Sequence, residues 1–208
     1  MGKIPRAFTN ARHAQRRALF KACRAAVKGT AWRSATGVLF AQRNGWFLAM
    51  QEMTGIVSAI TKARLTVKPM AIDLIFWDMA GQPQLRNESL SFRAFGALTC
   101  PGLIMGEVEL SEEGGPAEIA VRMLQVAEAT LEEVATTWTM DKFIDGINSS
   151  INPKRLFATA ICTLIADGRG EYALQICQDS ASRGQIRGFL TPHGTFPEMA
   201  TKLLQGTT

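Results

Sequence analysis

The sequence predicts an α+β fold: an N-terminal helix, a mostly antiparallel sheet of four to five strands, and C-terminal helices packed on one side of that sheet. Three observations carry the prediction. Apolar residues recur at helical spacing before residue 28, short β-prone runs separated by turn residues fill residues 36–110, and helical spacing resumes at residue 116 and holds almost to the end. The whole reads as one domain over residues 1–208, divided into a basic helix (1–28), a sheet (36–110) and a helical part (116–205).

Asn10 suits a helix N-cap, and Leu19, Phe20, Cys23, Ala26 and Val27 share one face of a helix that runs to about Lys28 and is ended by Gly29. Gly37–Gln42 and Trp46–Met53 are strands joined through Arg43-Asn44-Gly45, because Asn-Gly tolerates the positive φ angles of a type I′ turn. A third strand is expected over Lys62–Val67, resuming over Ala71–Asp78 after a break or bulge at Pro69. In that second stretch Ile72, Leu74 and Phe76 alternate only partly in polarity with Asp73, Ile75 and Trp77. Two further strands fit Ser91–Leu98 and Leu103–Leu110, the latter with Glu107 and Glu109 on one face and Val108 and Leu110 on the other.

Pro116 opens a long helix whose stripe includes Ile119, Met123, Ala127, Leu131 and Val134. A short helix over Asp141–Ile147 follows. Asn152-Pro153 starts another that ends at Asp167-Gly168, and Glu171 to about Ser182, closed by Gly184, returns antiparallel to it. Thr195 and Glu198 form a capping box for a last helix.

The chain has 208 residues, 47% of them apolar, which suffices for a proper core. No run approaches the roughly 20 apolar residues that span a bilayer. The start, Met-Gly-Lys-Ile-Pro-Arg, has no apolar signal region, and Arg6 stands where a myristoylation signal needs Ser or Thr. Cys23, Cys100, Cys162 and Cys177 are widely spaced with no C-x-x-C, as expected of buried free thiols in the cytoplasm. The Asn87 and Asn148 sequons are then silent.

Candidate chemistry is sparse. There are two histidines, His13 and His193, and neither has the neighbours of a metal site. Cys100 and His193 both fall in loops, so a Cys–His pair is conceivable beside the plainer reading of Cys100 as a small strand-end residue. Asp73 and Asp78 on one strand and Glu107 and Glu109 on another would make an acidic patch or an ordinary solvated face. No phosphate-binding glycine loop and no nucleophile elbow occurs. No catalytic residue, metal or cofactor is therefore assigned.

Charge is the informative feature. The net charge of +5 splits into +12 over residues 1–68, where Glu52 is the single acid, and −7 over the rest. Arg12, Arg16, Arg17, Lys21, Arg24, Lys28 and Arg43 are the candidate anion- or nucleic-acid-binding residues, with Lys3 and Arg6 beside them and Trp46 and Phe47 next to Arg43. Alternatively, the basic face of the helix meets solvent or pairs with the acidic helix that carries Glu118, Glu128, Glu132 and Glu133.

A leading helix, Trp32-Arg33 before a strand, the Arg43-Asn44-Gly45-Trp46 hairpin and the late Thr137-Trp138-Thr139-Met140-Asp141-Lys142-Phe143 together resemble an uncharacterised bacterial family, domain of unknown function 4304, over about residues 12–185. Trp32 stands where that family tends to have Gly-Phe. The resemblance implies a small cytosolic bacterial α+β protein and brings no activity with it. The functional expectation is a non-enzymatic binding module whose partner is another protein. The alternative is a nucleic-acid-associated protein acting through the basic helix; a membrane partner is not expected.

Overall fold

The structure is a computed structural model that describes residues 6–53, 61–95, 98–110, 114–183, 190–191 and 194–206. The fold is α+β, and the chain divides into two compact units, Met1–Val67 with Ile104–Thr136 and Lys68–Leu103 with Thr137–Thr208.

The first unit is built on a five-stranded sheet. Helix α1 (Arg6–Ala26) begins four residues before Asn10, so that residue lies inside it. It ends through a turn in which Gly29 takes φ 75°, the left-handed conformation glycine adopts without a Cβ penalty. Strands β1 (Arg33–Ala35), β2 (Val38–Arg43), β3 (Trp46–Glu52), β4 (Thr61–Pro69) and β5 (Leu103–Leu110) then lie in the sheet in chain order.

Asn44 (φ 47°) and Gly45 (φ 80°) form the expected two-residue turn, with Arg43 opposite Trp46. A second such turn, at Thr36 (φ 45°) and Gly37 (φ 81°), joins β1 to β2. A Cβ on Gly37 would collide with the Phe20 ring, so glycine here also sets how closely α1 approaches the hairpin. Lys62 pairs with Glu109 and Arg64 with Glu107, so numbers rise along β4 as they fall along β5, the antiparallel sense.

Helix α4 (Gly115–Thr137) supplies the expected stripe. Ile119, Met123, Ala127 and Leu131 pack with Leu19 and Cys23 of α1 against Leu39, Ala41, Leu48, Met50, Ala63 and Leu65. Those strand residues share one sheet face, since Leu39 opposes Met50 and Ala41 opposes Leu48. Both helices therefore cover the same side.

The second unit is helical, and it corrects two strand expectations. Residues 71–79 form helix α2 (Ala71–Met79), not a resumed strand. The buried positions Ile72, Asp73, Phe76, Trp77 and Ala80 recur at helical spacing. Gly81 (φ 66°) ends α2, with the Gln82 amide donating to the Trp77 carbonyl and Gly81 to Asp78, and Pro83 follows in a 3-10 turn. Residues 91–98 are likewise not a strand: Phe92–Phe95 is a single helical turn, α3, and residues 96–97 lie outside the described residues.

Helices α5 (Met140–Asn148), α6 (Phe157–Ala166), α7 (Gly170–Ser182) and α8 (Phe196–Gly206) complete this unit, with a small hairpin of β6 (Leu190–Thr191) and β7 (Gly194–Thr195) before α8. Asn152-Pro153 opens a 3-10 turn leading into α6, and its side chain accepts from the Arg155 amide. The α6–α7 connection is the expected helical hairpin: Gly168 (φ 76°) carries the chain over and the Arg169 amide donates to the Leu164 carbonyl. Gly184, expected to close α7, lies outside the described residues. The Thr195 amide donates to Glu198 Oε2 at 2.7 Å, the backbone half of the capping box. Phe196 is stacked on Phe76 and meets Phe157 edge-on, joining α2, α6 and α8 in one core.

Candidate functional site

Burying Leu19 and Cys23 against the sheet forces the opposite side of α1 outward. Arg17, Lys21, Arg24 and Lys28 are all exposed, and among the described residues none of them has a hydrogen bond or ion pair. Arg17, Lys21 and Arg24 span about 10 Å of α1 at 1.5 Å rise per residue, and Lys28 follows in the turn just past its end. The other two helix candidates are engaged. Arg16 bonds Glu52 Oε2 through Nε at 3.1 Å and lies over the Phe20 ring, while Arg12 donates to Gln15 Oε1 at 3.1 Å. Glu52, the lone acid of the basic third, is thus buried as the anchor of α1 rather than left to neutralise the row. Lys3 lies outside the described residues.

Arg43, the remaining candidate, points to α4. Its Nη2 meets Glu128 Oε1 at 2.6 Å and its Nη1 meets Glu132 Oε2. The other oxygen of Glu128 accepts from the indole of buried Trp32. That indole bond, followed by the Arg43 bond, holds the Glu128 carboxyl below the ordinary carboxylate range against the opposing effect of burial. The acidic helix is therefore clasped by the hairpin and by Trp32, not by the α1 row. Beside the clasp, a groove of about 630 Å³ opens between the Thr30–Ala31 connection and Leu124, Gln125 and Ala129 of α4.

A third charged cluster is buried in the second unit. Lys68 Nζ bonds Asp73 at 2.9 Å and the carbonyls of Arg93 and Cys100 at 3.0 and 2.9 Å. Asp73 also accepts from Arg93 Nη1 and from the Cys100 amide, both at 2.9 Å. Arg93 donates in turn to the Met70 carbonyl and lies over the Trp77 ring. Desolvation pushes the Lys68 ammonium down, opposed by the Asp73 charge. All three ammonium protons of Lys68 have acceptors, so the knot ties the loop that follows α3 to α2, as a structural network does.

The remaining candidates separate. Asp73 and Asp78 stand on a helix, so they share no strand pair with Glu107 and Glu109. Asp78 pairs with Arg86, Glu107 with Arg64 and Glu109 with Lys62. Cys100 is buried, and its suggested partner His193 lies outside the described residues. Burial pushes the Cys23 and Cys177 thiols up to about 11 and the Cys162 thiol well above its usual value, which withholds the thiolate that reacts.

Sequence reasoning passed over Trp32, Glu128 and Glu132 as a joint feature with Arg43, and Lys68 with Arg93. The partners of each lie far apart in sequence, and no local pattern marks them. Among the described residues, no group of three His, Cys, Asp or Glu side chains is placed to hold a metal, and no helix is long and apolar enough to cross a membrane. Comparison of the chain with protein-family models, with curated proteins and with solved structures returns no match.

Proposed function

We propose that this protein is a cytoplasmic binding module that holds a nucleic acid along the outer face of α1. One observation carries the reading. Arg17, Lys21 and Arg24 line up on one exposed face of α1, with Lys28 just past its end, and among the described residues none of the four has a partner. A row of like charges with no partner is electrostatically unfavourable for the folded chain by itself and favourable next to a polyanion, which releases counterions as it binds.

A protein partner is the second reading. No observation here favours it as the α1 row favours a polyanion. The test is binding of labelled oligonucleotides across a salt series, comparing the natural chain with the Arg17→Glu/Lys21→Glu/Arg24→Glu variant. The expected result is steep salt dependence in the natural chain and loss of binding in the variant. Equal retention of both on nucleic acid at low salt would remove the reading. A protein recovered from lysate after nuclease treatment, and lost with the same variant, would turn it toward a protein polyanion.

A further inference from the structure

Of the two histidines, His13 alone falls among the described residues, and it stands on α1 one turn before Arg17. At about 100° per residue it lies about 40° around the helix from Arg17 and about 20° from Arg24, so the three share a face. It is exposed, and among the described residues it has no hydrogen bond or ion pair. His13 therefore lengthens the track from Arg17 to Arg24 by about 6 Å at its N-terminal end.

Through Leu19 and Cys23, α1 packs on the sheet and on α4, and the carboxylates of those elements are committed elsewhere. Glu52 of β3 holds Arg16, Glu107 and Glu109 of β5 hold Arg64 and Lys62, and Glu128 and Glu132 of α4 hold Arg43. Glu118 lies over the backbone at Gly114, and Glu133 has an interaction of its own. Arg33 of β1 and Arg122 of α4 are cations, as are Arg12, Arg16 and Arg17, which flank His13 on its own helix. Among the described residues, then, no carboxylate of the protein holds this imidazole.

We infer that His13 is a proton-dependent member of the α1 site: as an imidazolium it contacts a further phosphate of the bound strand, so that binding takes up a proton and tightens as pH falls. This rests on the nucleic-acid reading of α1. Histidine is the side chain whose unperturbed charge changes between about pH 5 and 8, whereas arginine and lysine stay charged throughout. A phosphate beside an imidazole favours its charged form, and linkage requires the converse, that protonation favours the phosphate. The sign follows directly. On the alkaline side of the imidazole range the site holds Arg17, Lys21, Arg24 and Lys28. On the acid side His13 joins them, so affinity rises with falling pH, by no more than about tenfold per pH unit for one proton.

The test is fluorescence anisotropy of the full chain with a short labelled oligothymidylate at about pH 5.5 and about pH 8, the two sides of the imidazole range. Neither thymine nor a phosphodiester titrates between them. At about 50 mM salt the natural chain is expected to bind about fivefold more tightly at the lower pH, with a log–log salt slope steeper by about 0.7, the increment of one phosphate contact. His13→Gln is expected to bind equally at both pH values, at the weaker affinity of the natural chain. His13→Arg is expected to bind equally at both, at the tighter affinity, a rescue by permanent charge that a merely structural role would not give. His193→Gln should behave as the natural chain does.

An affinity of the natural chain that does not change with pH, or a change that persists in His13→Gln, overturns the inference. The α1 reading stands in that case as long as Arg17→Glu/Lys21→Glu/Arg24→Glu still abolishes binding. Absence of binding by the natural chain at both pH values overturns the α1 reading and this inference with it.

Discussion

Two groups of cations, one in each unit, are held in opposite ways. In the second, Lys68 and Arg93 converge on one buried carboxylate, and every ammonium proton of Lys68 is matched by Asp73 or by a backbone carbonyl. In the first, Arg17, Lys21 and Arg24 on one face of α1, with Lys28 just past its end, have no partner among the described residues, although α4 of the same unit carries Glu118, Glu128, Glu132 and Glu133. The contrast separates charge that holds the fold from charge left to solvent. A buried cation is tolerated only when it is saturated, because an unpaired one carries the full desolvation penalty. A solvated cation needs no partner, so its lack of one carries no such penalty.

The sharpest way to break this comparison is to remove Asp73. Asp73→Ala leaves Lys68 and Arg93 facing each other in the core and frees the Cys100 amide. The expected loss is about 3 to 5 kcal/mol of unfolding free energy, read from urea denaturation. The folded fraction should bind oligonucleotides as before. A loss under about 1 kcal/mol would mean that the knot is solvated and that the contrast between the units does not hold.

The converse experiment neutralises the row. Arg17→Gln/Lys21→Gln/Arg24→Gln/Lys28→Gln is expected to change stability by no more than about 0.5 kcal/mol per substitution, since none of the four is paired among the described residues. It should flatten the dependence of log affinity on log salt for a single strand by about 3, at about 0.7 per lost phosphate contact. Substantial destabilisation with an unchanged salt slope would place these residues with Lys68 as part of the scaffold.

How much of this the sequence disclosed follows from the range over which each feature is determined. The Asn44-Gly45 turn, the α6–α7 hairpin, the Thr195–Glu198 cap and the basic stripe of α1 are local, fixed by residues a few positions apart, and all were legible. Residues 71–79 misled because Ile72, Leu74 and Phe76 suggest a period of two. The sign of a helix was in Gly81 and Pro83, which can equally mark a loop after a strand until the buried set Ile72, Asp73, Phe76, Trp77 is known. The clasp was illegible for a different reason. Arg43 stands 85 residues from Glu128, and the sheet register and the position of α4 together decide that they meet. Asp73 likewise reads as an ordinary strand carboxylate until α2 turns it toward Lys68.

The smallest effect sharpens the comparison where the two kinds of charge meet, at Glu128, which is half-solvated yet bonded on both oxygens. Its folded value is depressed, first by the Trp32 indole and then by Arg43, so folding favours the ionised form. That contribution is fully present above the ordinary carboxylate value, near 4.3, and is lost as pH falls through the depressed folded value. Because the group is half-solvated and screened by water, the amount is at most about 1 kcal/mol. Trp32→Phe keeps most of the ring that fills the core and removes only the indole donor. Its deficit relative to the natural chain should therefore be constant from neutral pH down to about 4.5 and shrink below that, when Glu128 protonates in both. Parallel stability profiles through that acid range would show that Glu128 is no more tightly held than the pairs on the solvated strands, and the clasp would then belong with the surface charges.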